Sequence, residues 1–440
     1  MKKLLQSKRR GSAIPLAVVA IIILLAMGVG LLSLGFNGRI YSIRTASDIM
    51  ARCAADAGLT MALFEMNEKL KVKPWNDSTL PEAINVKLPY YDAVCSYKVI
   101  GSLAGGYTLQ SLGQSGNANR GVSATIKLQS GFSNAILTKN QLVLKSDTTV
   151  DGYNSADPTD TEFVVDIGSQ SNANDSVVLN TGSVVNGDVF VANGANLDDA
   201  IKGAGTVTGN KYTSAPEPLP PVLAPDDLDP KKAIDVEGQT ITLRPEDSGT
   251  YPEIYLRQGD VLEGKKVVGT IPSVLEVSGG DVELYLTGNI QLDNSCEIIV
   301  KPGSTLTIYI DGNIHSRNGS SISTENPPEA ATSIQIYTTG DNKQFIDIKA
   351  KSEFTGTIYA PDDDVVLYAK GNAYGSIIAD SFDYKAGGNF YFDEALRDNV
   401  SVDDEAVVFV INRWYESAPR FSPDIKLAEI ESMLEVDLVK

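Results

Sequence analysis

The first long pattern in the chain is apolar. From Gly11 to Gly38 no residue is charged, and Val18 to Met27 is aliphatic apart from the closing methionine. As a helix, 28 residues span about 42 Å at ~1.5 Å each, more than the ~30 Å hydrocarbon core of a bilayer. An export signal carries a shorter apolar region, about 7–15 residues, so the run predicts a transmembrane helix. Beyond it the period becomes that of an amphipathic helix. Ile40, Ile43, Ser47, Met50, Ala54, Ala57, Met61 and Phe64 fall at steps of three and four, with Arg39, Arg44, Asp48, Arg52, Asp56 and Glu65 opposite. Gly58 costs such a helix about 1 kcal/mol, and Pro74 ends it. Small residues on this seam (Ser47, Ala54, Ala57) leave room for a second helix. Packing of the same face on the chain's own domain is the equal alternative.

From Val86 to about Ser130 the pattern alternates, as in Ser96–Ile100, Tyr107–Leu112 and Val122–Leu128, with Gly and Asn between the runs. This predicts a three- or four-stranded antiparallel meander. Past Asn134 an apolar-x-Gly element recurs at Val150, Val185, Val207, Phe354 and Ala373. Tyr285–Asn294 repeats as Tyr309–Asn318 at an offset of 24, extended by Ile298 and Ile322, and Thr355–Pro361 repeats as Tyr374–Asp380 at an offset of 19. Periods near 20 with β-branched residues and Gly/Asn corners predict an irregular β-solenoid, each coil covered by its neighbours. Ala215–Pro230 holds six of the 20 prolines and forms neither helix nor sheet; it is a linker or a strap along the solenoid. After Val400 a strand, Ala406–Ile411, precedes an amphipathic helix carrying Ile425, Leu427, Ile430, Met433, Leu434 and Leu438.

Charge fixes the orientation. Lys2, Lys3, Lys8, Arg9 and Arg10 precede the apolar run, which keeps the N-terminus cytoplasmic and exports the rest. The whole chain is acidic, 37 Lys+Arg against 56 Asp+Glu, which repels phosphate backbones and excludes nucleic acid as a partner. One histidine, His315, and three cysteines, Cys53, Cys95 and Cys296, with no CxxC, exclude a zinc cluster and a dense disulfide framework.

The basic leader, Gly11-Ser12, the unbroken apolar helix that turns amphipathic and Ala55-Asp56-Ala57-Gly58-Leu59 about 45 residues on together resemble the N-terminus of PilX-type type IV minor pilins and pilus-assembly proteins. The resemblance implies cleavage between Gly11 and Ser12 by prepilin peptidase and methylation of Ser12. It implies other pilins or pilus assembly proteins as partners of the helix. Major pilins carry Glu at the fifth mature position, where this chain has Leu16, after Pro15; a tip or rare subunit fits that departure better than a repeating one. Leu306–Ile314, Gly356–Pro361 and Asn389–Leu396 resemble the C-terminal β-helical domain of DUF7305 type. That family commonly closes with His-Tyr-Asp, where this chain has Tyr391-Phe392-Asp393.

Chemistry is sparse. Asp362-Asp363-Asp364 reads as a solvated corner before weak calcium binding, since alternate residues of a strand face opposite ways. Asp226, Asp227 and Asp229 read as solvated strap residues, and His315 as a substitutable corner opposite Gln291. Ten tyrosines of the solenoid (251, 255, 285, 309, 337, 359, 368, 374, 384, 391) fill a core ladder; an exposed row would instead stack on a surface polysaccharide. No catalytic, cofactor or metal residue is expected.

These readings predict a mainly β protein. A basic prepilin-type leader (1–11) precedes a long N-terminal α-helix, transmembrane over 12–38 and amphipathic over 39–73. A pilin-like antiparallel meander (74–132) follows. Next comes an irregular right-handed β-helix (133–400) interrupted by the strap 215–230, then a C-terminal strand and amphipathic helix (401–440). The function expected is a non-enzymatic minor or tip-associated pilin, single-pass in a bacterial inner membrane, with a periplasmic or extracellular ectodomain. An uncleaved membrane-anchored β-helical adhesin is the alternative, and a polysaccharide-active enzyme is third.

Overall fold

A computed structural model describes residues 13–417 except 158, 161, 162, 164, 326–330, 341, 369, 386 and 399. Gly11, Ser12, the basic leader and the amphipathic helix expected over 425–438 lie outside the described residues. The protein is mainly β, with one long helix, and divides into two compact units.

In the first unit the apolar run and the amphipathic pattern form one helix, α1 (Ala13–Leu70), of 58 residues. No described residue covers its first half: Leu16, Leu24, Leu32 and Phe36 are all exposed. It is the one helix among the described residues long and apolar enough to cross a membrane. Its second half meets an antiparallel sheet of strands β1 (Glu82–Lys87), β2 (Val94–Ser102), β3 (Gly106–Ser115) and β4 (Ala118–Ser130), in that order, with Val407–Ser417 added at the edge beside β4. Burial alternates along Val122–Ile126 of β4, as in a sheet with one covered face, whereas Leu109–Gly113 of β3 is buried without a break.

The buried stripe of α1 is Ala51, Ala54, Ala55, Gly58, Leu59, Ala62 and Met66. Short side chains let the sheet backbone come close. A Cβ on Gly113 of β3 would stand 2.0 Å from the Ala51 carbonyl oxygen and 2.3 Å from the Ala55 nitrogen. Gly58, unfavourable by propensity, faces Cys95 and the Ser111 hydroxyl at the same contact. Polar clamps flank the stripe: Arg120 donates from Nε to Asp48 at 2.7 Å, and the Tyr97 hydroxyl donates to Glu65 at 2.6 Å. Arg52 pairs with Glu416 at 3.3 Å and lies over the Trp414 ring.

The second unit is built from parallel pairings whose register follows the sequence repeats. Tyr285 lies opposite Tyr309, Gln291 opposite His315 and Ile298 opposite Ile322; Gly356 lies opposite Gly375 and Ile358 opposite Ile377. The apolar-x-Gly positions share one ladder, in which Phe354 pairs with Ala373, Ala373 with Phe390, Phe390 with Val150, Val150 with Val185 and Val185 with Val207. Two further ladders run beside it, one through Ile254, Ile290 and Ile314 and the other through Leu284, Ile308 and Ile336. Inward residues of all three make one core, and identical-offset stacking is why β-branched residues dominate it.

The stacking order is not the chain order. Ile136–Leu144 pairs on one side with Asn372–Tyr384 and on the other with Asp166–Ser169 and Val177–Leu179. Rungs therefore run from 234 up to 393, continue with 136–153 and end at 211–214. The proline-rich segment returns along one ladder as a strap. Before it rejoins the ladder at Pro230, opposite Thr250, its carbonyls take side-chain donors: Gln170 donates to Glu217 O at 2.9 Å, Tyr359 to Pro220 O at 2.7 Å and Thr250 to Leu228 O at 3.2 Å. A hairpin, Gly259–Glu263 with Lys266–Ile271, pairs only with itself.

Candidate functional site

The residues singled out on α1 divide between two environments. Ala54 is buried against the sheet; Ile40, Ser47, Met50, Ala57 and Met61 are partly covered; Ile43 and Phe64 are exposed. The seam of large apolar residues is thus rotated from the stripe that meets the sheet, because close approach selects alanine and glycine over isoleucine and phenylalanine. Ile40, Ile43 and Ser47 line an open groove of about 790 Å³, closed on the other side by Gly116, Asn117 and Ala118 of the β3–β4 turn. That Gly/Asn turn reads in sequence only as a separator. Its proximity to the helix is a product of the Gly113 contact. At the groove's edge the Arg120 guanidinium beside Asp48 holds that carboxyl below its ordinary range.

The three cysteines are free thiols. Cys53 is exposed, whereas Cys95 and Cys296 are buried, and burial pushes both thiols up. Asp362-Asp363-Asp364 is not one solvated corner. Asp362 is exposed and pairs with Lys139 at 2.6 Å. Asp363 points inward at 2% exposure and accepts the Gln344 N–H at 2.6 Å; burial raises its carboxyl. Lys343 bridges Asp364 at 2.9 Å and Asp380 at 2.7 Å. Among the described residues no group of three His, Cys, Asp or Glu is placed to hold a metal ion.

His315 is exposed, its ring 6.3 Å from Phe345. None of the ten tyrosines forms an exposed row: Tyr251, Tyr309, Tyr337, Tyr359, Tyr374 and Tyr384 are buried, and the other four half-buried. Tyr309 stacks on Tyr337 at 5.5 Å and Tyr374 on Tyr391 at 5.3 Å. Asp393, which closes Tyr391-Phe392-Asp393, is 1% exposed and accepts from Ser155 N and Oγ, Ala331 N and Ala395 N, a structural clamp between loops.

Comparison with known proteins bears on the second unit first. Residues 233–399 match the model of DUF7305, a domain of unknown function, a longer stretch than the motifs between 306 and 396 delimit. No curated protein matches the chain. Among solved structures the chain is similar to the competence-associated pilin ComZ from Thermus thermophilus, at 14% identity over 84% of this chain and 98% of that one, with a TM-score of 0.22. It is also similar to an ice binding protein from an Antarctic bacterium, Flavobacteriaceae, at 11% identity over 58% of this chain and 78% of that one, with a TM-score of 0.19. Likeness at that level says nothing of activity.

Proposed function

We propose that this chain is an exported, non-enzymatic, pilin-like protein held in a membrane by α1, and that its second unit is an irregular right-handed β-solenoid. The observation that carries the reading is one unbroken helix whose first half is apolar and uncovered and whose second half is roofed by an antiparallel sheet. An apolar rod of that length is stable in lipid or against other apolar rods, and unstable in water. Cutting at Gly11 removes the five cationic residues that hold its end at the cytoplasmic face. The groove at Ile40, Ile43 and Ser47 then supplies the lateral surface for a neighbouring pilin helix. Leu16 at the fifth mature position favours a tip or rare subunit, since no carboxylate is there to pair with a neighbour's terminal amine.

The test is the N-terminal residue of the protein purified from its own membranes, read by intact and terminal-peptide mass spectrometry. A chain beginning at Ser12, methylated, is the expected result. A chain that retains Lys2 to Arg10 overturns the pilin reading and leaves the anchored adhesin, which Leu16 equally permits.

A further inference from the structure

Within the second unit a cleft of about 690 Å³ opens between the strap at Pro221–Asp227, the ladder that carries Glu283, Tyr309 and Tyr337, and the loop 403–405. Six carboxylates line it against two lysines, Lys71 and Lys73. Half of the six are already engaged. Glu405 takes Lys73, Asp403 takes the Trp75 N–H at 2.9 Å, and Asp404 takes the Ser401 N–H at 2.6 Å. The carboxylates of Asp226, Asp227 and Glu283 have no hydrogen bond or ion pair among the described residues. Burial, with Asp227 and Glu405 nearby, raises the Glu283 carboxyl.

A second observation is independent of the acids. Tyr337 lines the same cleft at 1% exposure, and its hydroxyl has no hydrogen-bond partner among the described residues. Its ring is fixed by stacking on Tyr309 and by Tyr359 at 6.3 Å. A partnerless hydroxyl at the tip of a buried side chain, beside unspent carboxylates, leaves acceptors open to a donor-rich ligand. An anion is excluded by the surplus of negative charge. A bare metal ion is excluded because no three ligands converge among the described residues. The volume is also some twenty times the ~30 Å³ of one water, and Pro221, Leu223 and Pro225 give one side an apolar wall.

We propose that this cleft binds lysine or arginine side chains of a basic segment of a protein partner, the aliphatic stem lying on the strap's Leu223 and Pro225 and the cationic head reaching Asp227, Glu283 and the Tyr337 hydroxyl. A guanidinium or ammonium is the group that supplies donors to all three while cancelling charge. The proposal does not depend on the pilin reading, since every residue in it belongs to the second unit.

The test uses the full chain in detergent micelles and a fluorescein-labelled octapeptide of alternating arginine and glycine, read by anisotropy, with an alternating glutamate–glycine octapeptide as the negative probe. Asp227→Asn with Glu283→Gln should weaken the arginine peptide about tenfold or more, the loss expected for charge-assisted bonds. Tyr337→Phe should weaken it severalfold with an unchanged thermal midpoint. Asp260→Asn with Glu263→Gln removes as much charge from the exposed hairpin and should leave binding unaltered. The proposal is overturned by absence of binding, or by equal losses in cleft and hairpin variants, which would reduce the attraction to net charge. It is also overturned if a glucosamine tetramer binds as tightly as the peptide, since the ligand would then be an amino sugar and not a protein.

Discussion

Gly113→Ala isolates the contact on which the first unit rests. The new Cβ would meet the Ala51 oxygen at 2.0 Å, the Ala55 nitrogen at 2.3 Å and the Ala54 carbonyl carbon at 2.9 Å, all helix backbone. None of these atoms can rotate away. Restoring an ordinary separation moves the helix by more than 1 Å from the sheet, and a gap of ~0.5–1 Å already forfeits a quarter to a half of the dispersion well of each atom pair. Overpacking costs about 1–3 kcal/mol, and a clash against backbone belongs at the upper end, about 3 kcal/mol. The baseline has the opposite sign, since glycine to alanine where the backbone permits it stabilises by about 0.4–1 kcal/mol. Gly105→Ala, with only the Ser102 hydroxyl at 3.3 Å, supplies that baseline in the same unit. Gly58→Ala is intermediate: the helix gains about 1 kcal/mol, while the Ser111 hydroxyl at 2.3 Å has to turn aside. Urea unfolding in micelles, followed by Trp414 fluorescence in a Trp75→Phe background, reads this unit. A Gly113→Ala midpoint within error of Gly105→Ala would refute the close-packed interface.

In the second unit, Gly375→Ala puts a Cβ 1.9 Å from the Gly356 oxygen at φ +134° and should lower stability by about 3 kcal/mol or more, visible as a lost or strongly lowered calorimetric transition. Asp393→Ala strands three backbone N–H groups of the clamp and should cost about 3 kcal/mol or more, whereas Asp393→Asn, which keeps an acceptor, should cost less in the same calorimetric scan. Burial, with the Asp166 charge adding, raises the Glu217 carboxyl above 4.5 against the lowering bond from Asn134. The neutral acid is therefore the form the fold prefers, and its contribution is present below the unfolded value and lost as pH rises through the folded one. Glu217→Gln should accordingly raise the thermal midpoint at pH 7 and leave it nearly unchanged at pH 4; an equal effect at both would refute the assignment. A maleimide should label Cys53 alone in the native protein, with Cys95 and Cys296 reacting only after denaturation, as counted by mass spectrometry.

What the sequence discloses here depends on the distance over which the physics acts. The 24-residue offset is legible because each parallel rung places Tyr285 on Tyr309 and Ile298 on Ile322, so the period of the pattern is the register. The apolar-x-Gly element is legible for the same reason. The stripe of α1 that meets the sheet is not legible, because a hydrophobicity pattern ranks Ile43 and Phe64 above Ala51 and Ala62, whereas the sheet's close approach ranks them the other way. Asp363 gives no local sign of burial, since the N–H it accepts belongs to Gln344 on another rung. The cleft was hidden for a related reason. Asp227, Glu283 and Tyr337 come from the strap and two rungs, and no spacing connects them.

The inverted stacking order gives the proline strap a mechanical reason. The ladder from Gly249–Tyr251 to Lys211–Ser214 crosses nine parallel pairings, about 43 Å at ~4.8 Å each. The chain leaves one end of this ladder at Ser214 and rejoins it at Pro230, opposite Thr250, one parallel bridge beyond those nine. Sixteen residues at the ~3.1 Å of a polyproline helix reach about 50 Å, against about 48 Å for ten pairings, so the segment has to run nearly straight. The same length coiled at random has an end-to-end distance of only about 22 Å and would have to be stretched at an entropic cost. Prolines keep the segment extended and remove the N–H groups that would compete for ladder pairing, while its carbonyls remain to accept Gln170, Tyr359 and Thr250. Composition that looks like a linker thus acts as a tie between the ends of the stack. Ile136–Leu144, the first rung in chain order, is accordingly an interior rung of the stack, paired with Asn372–Tyr384 on one side and with Asp166–Ser169 and Val177–Leu179 on the other.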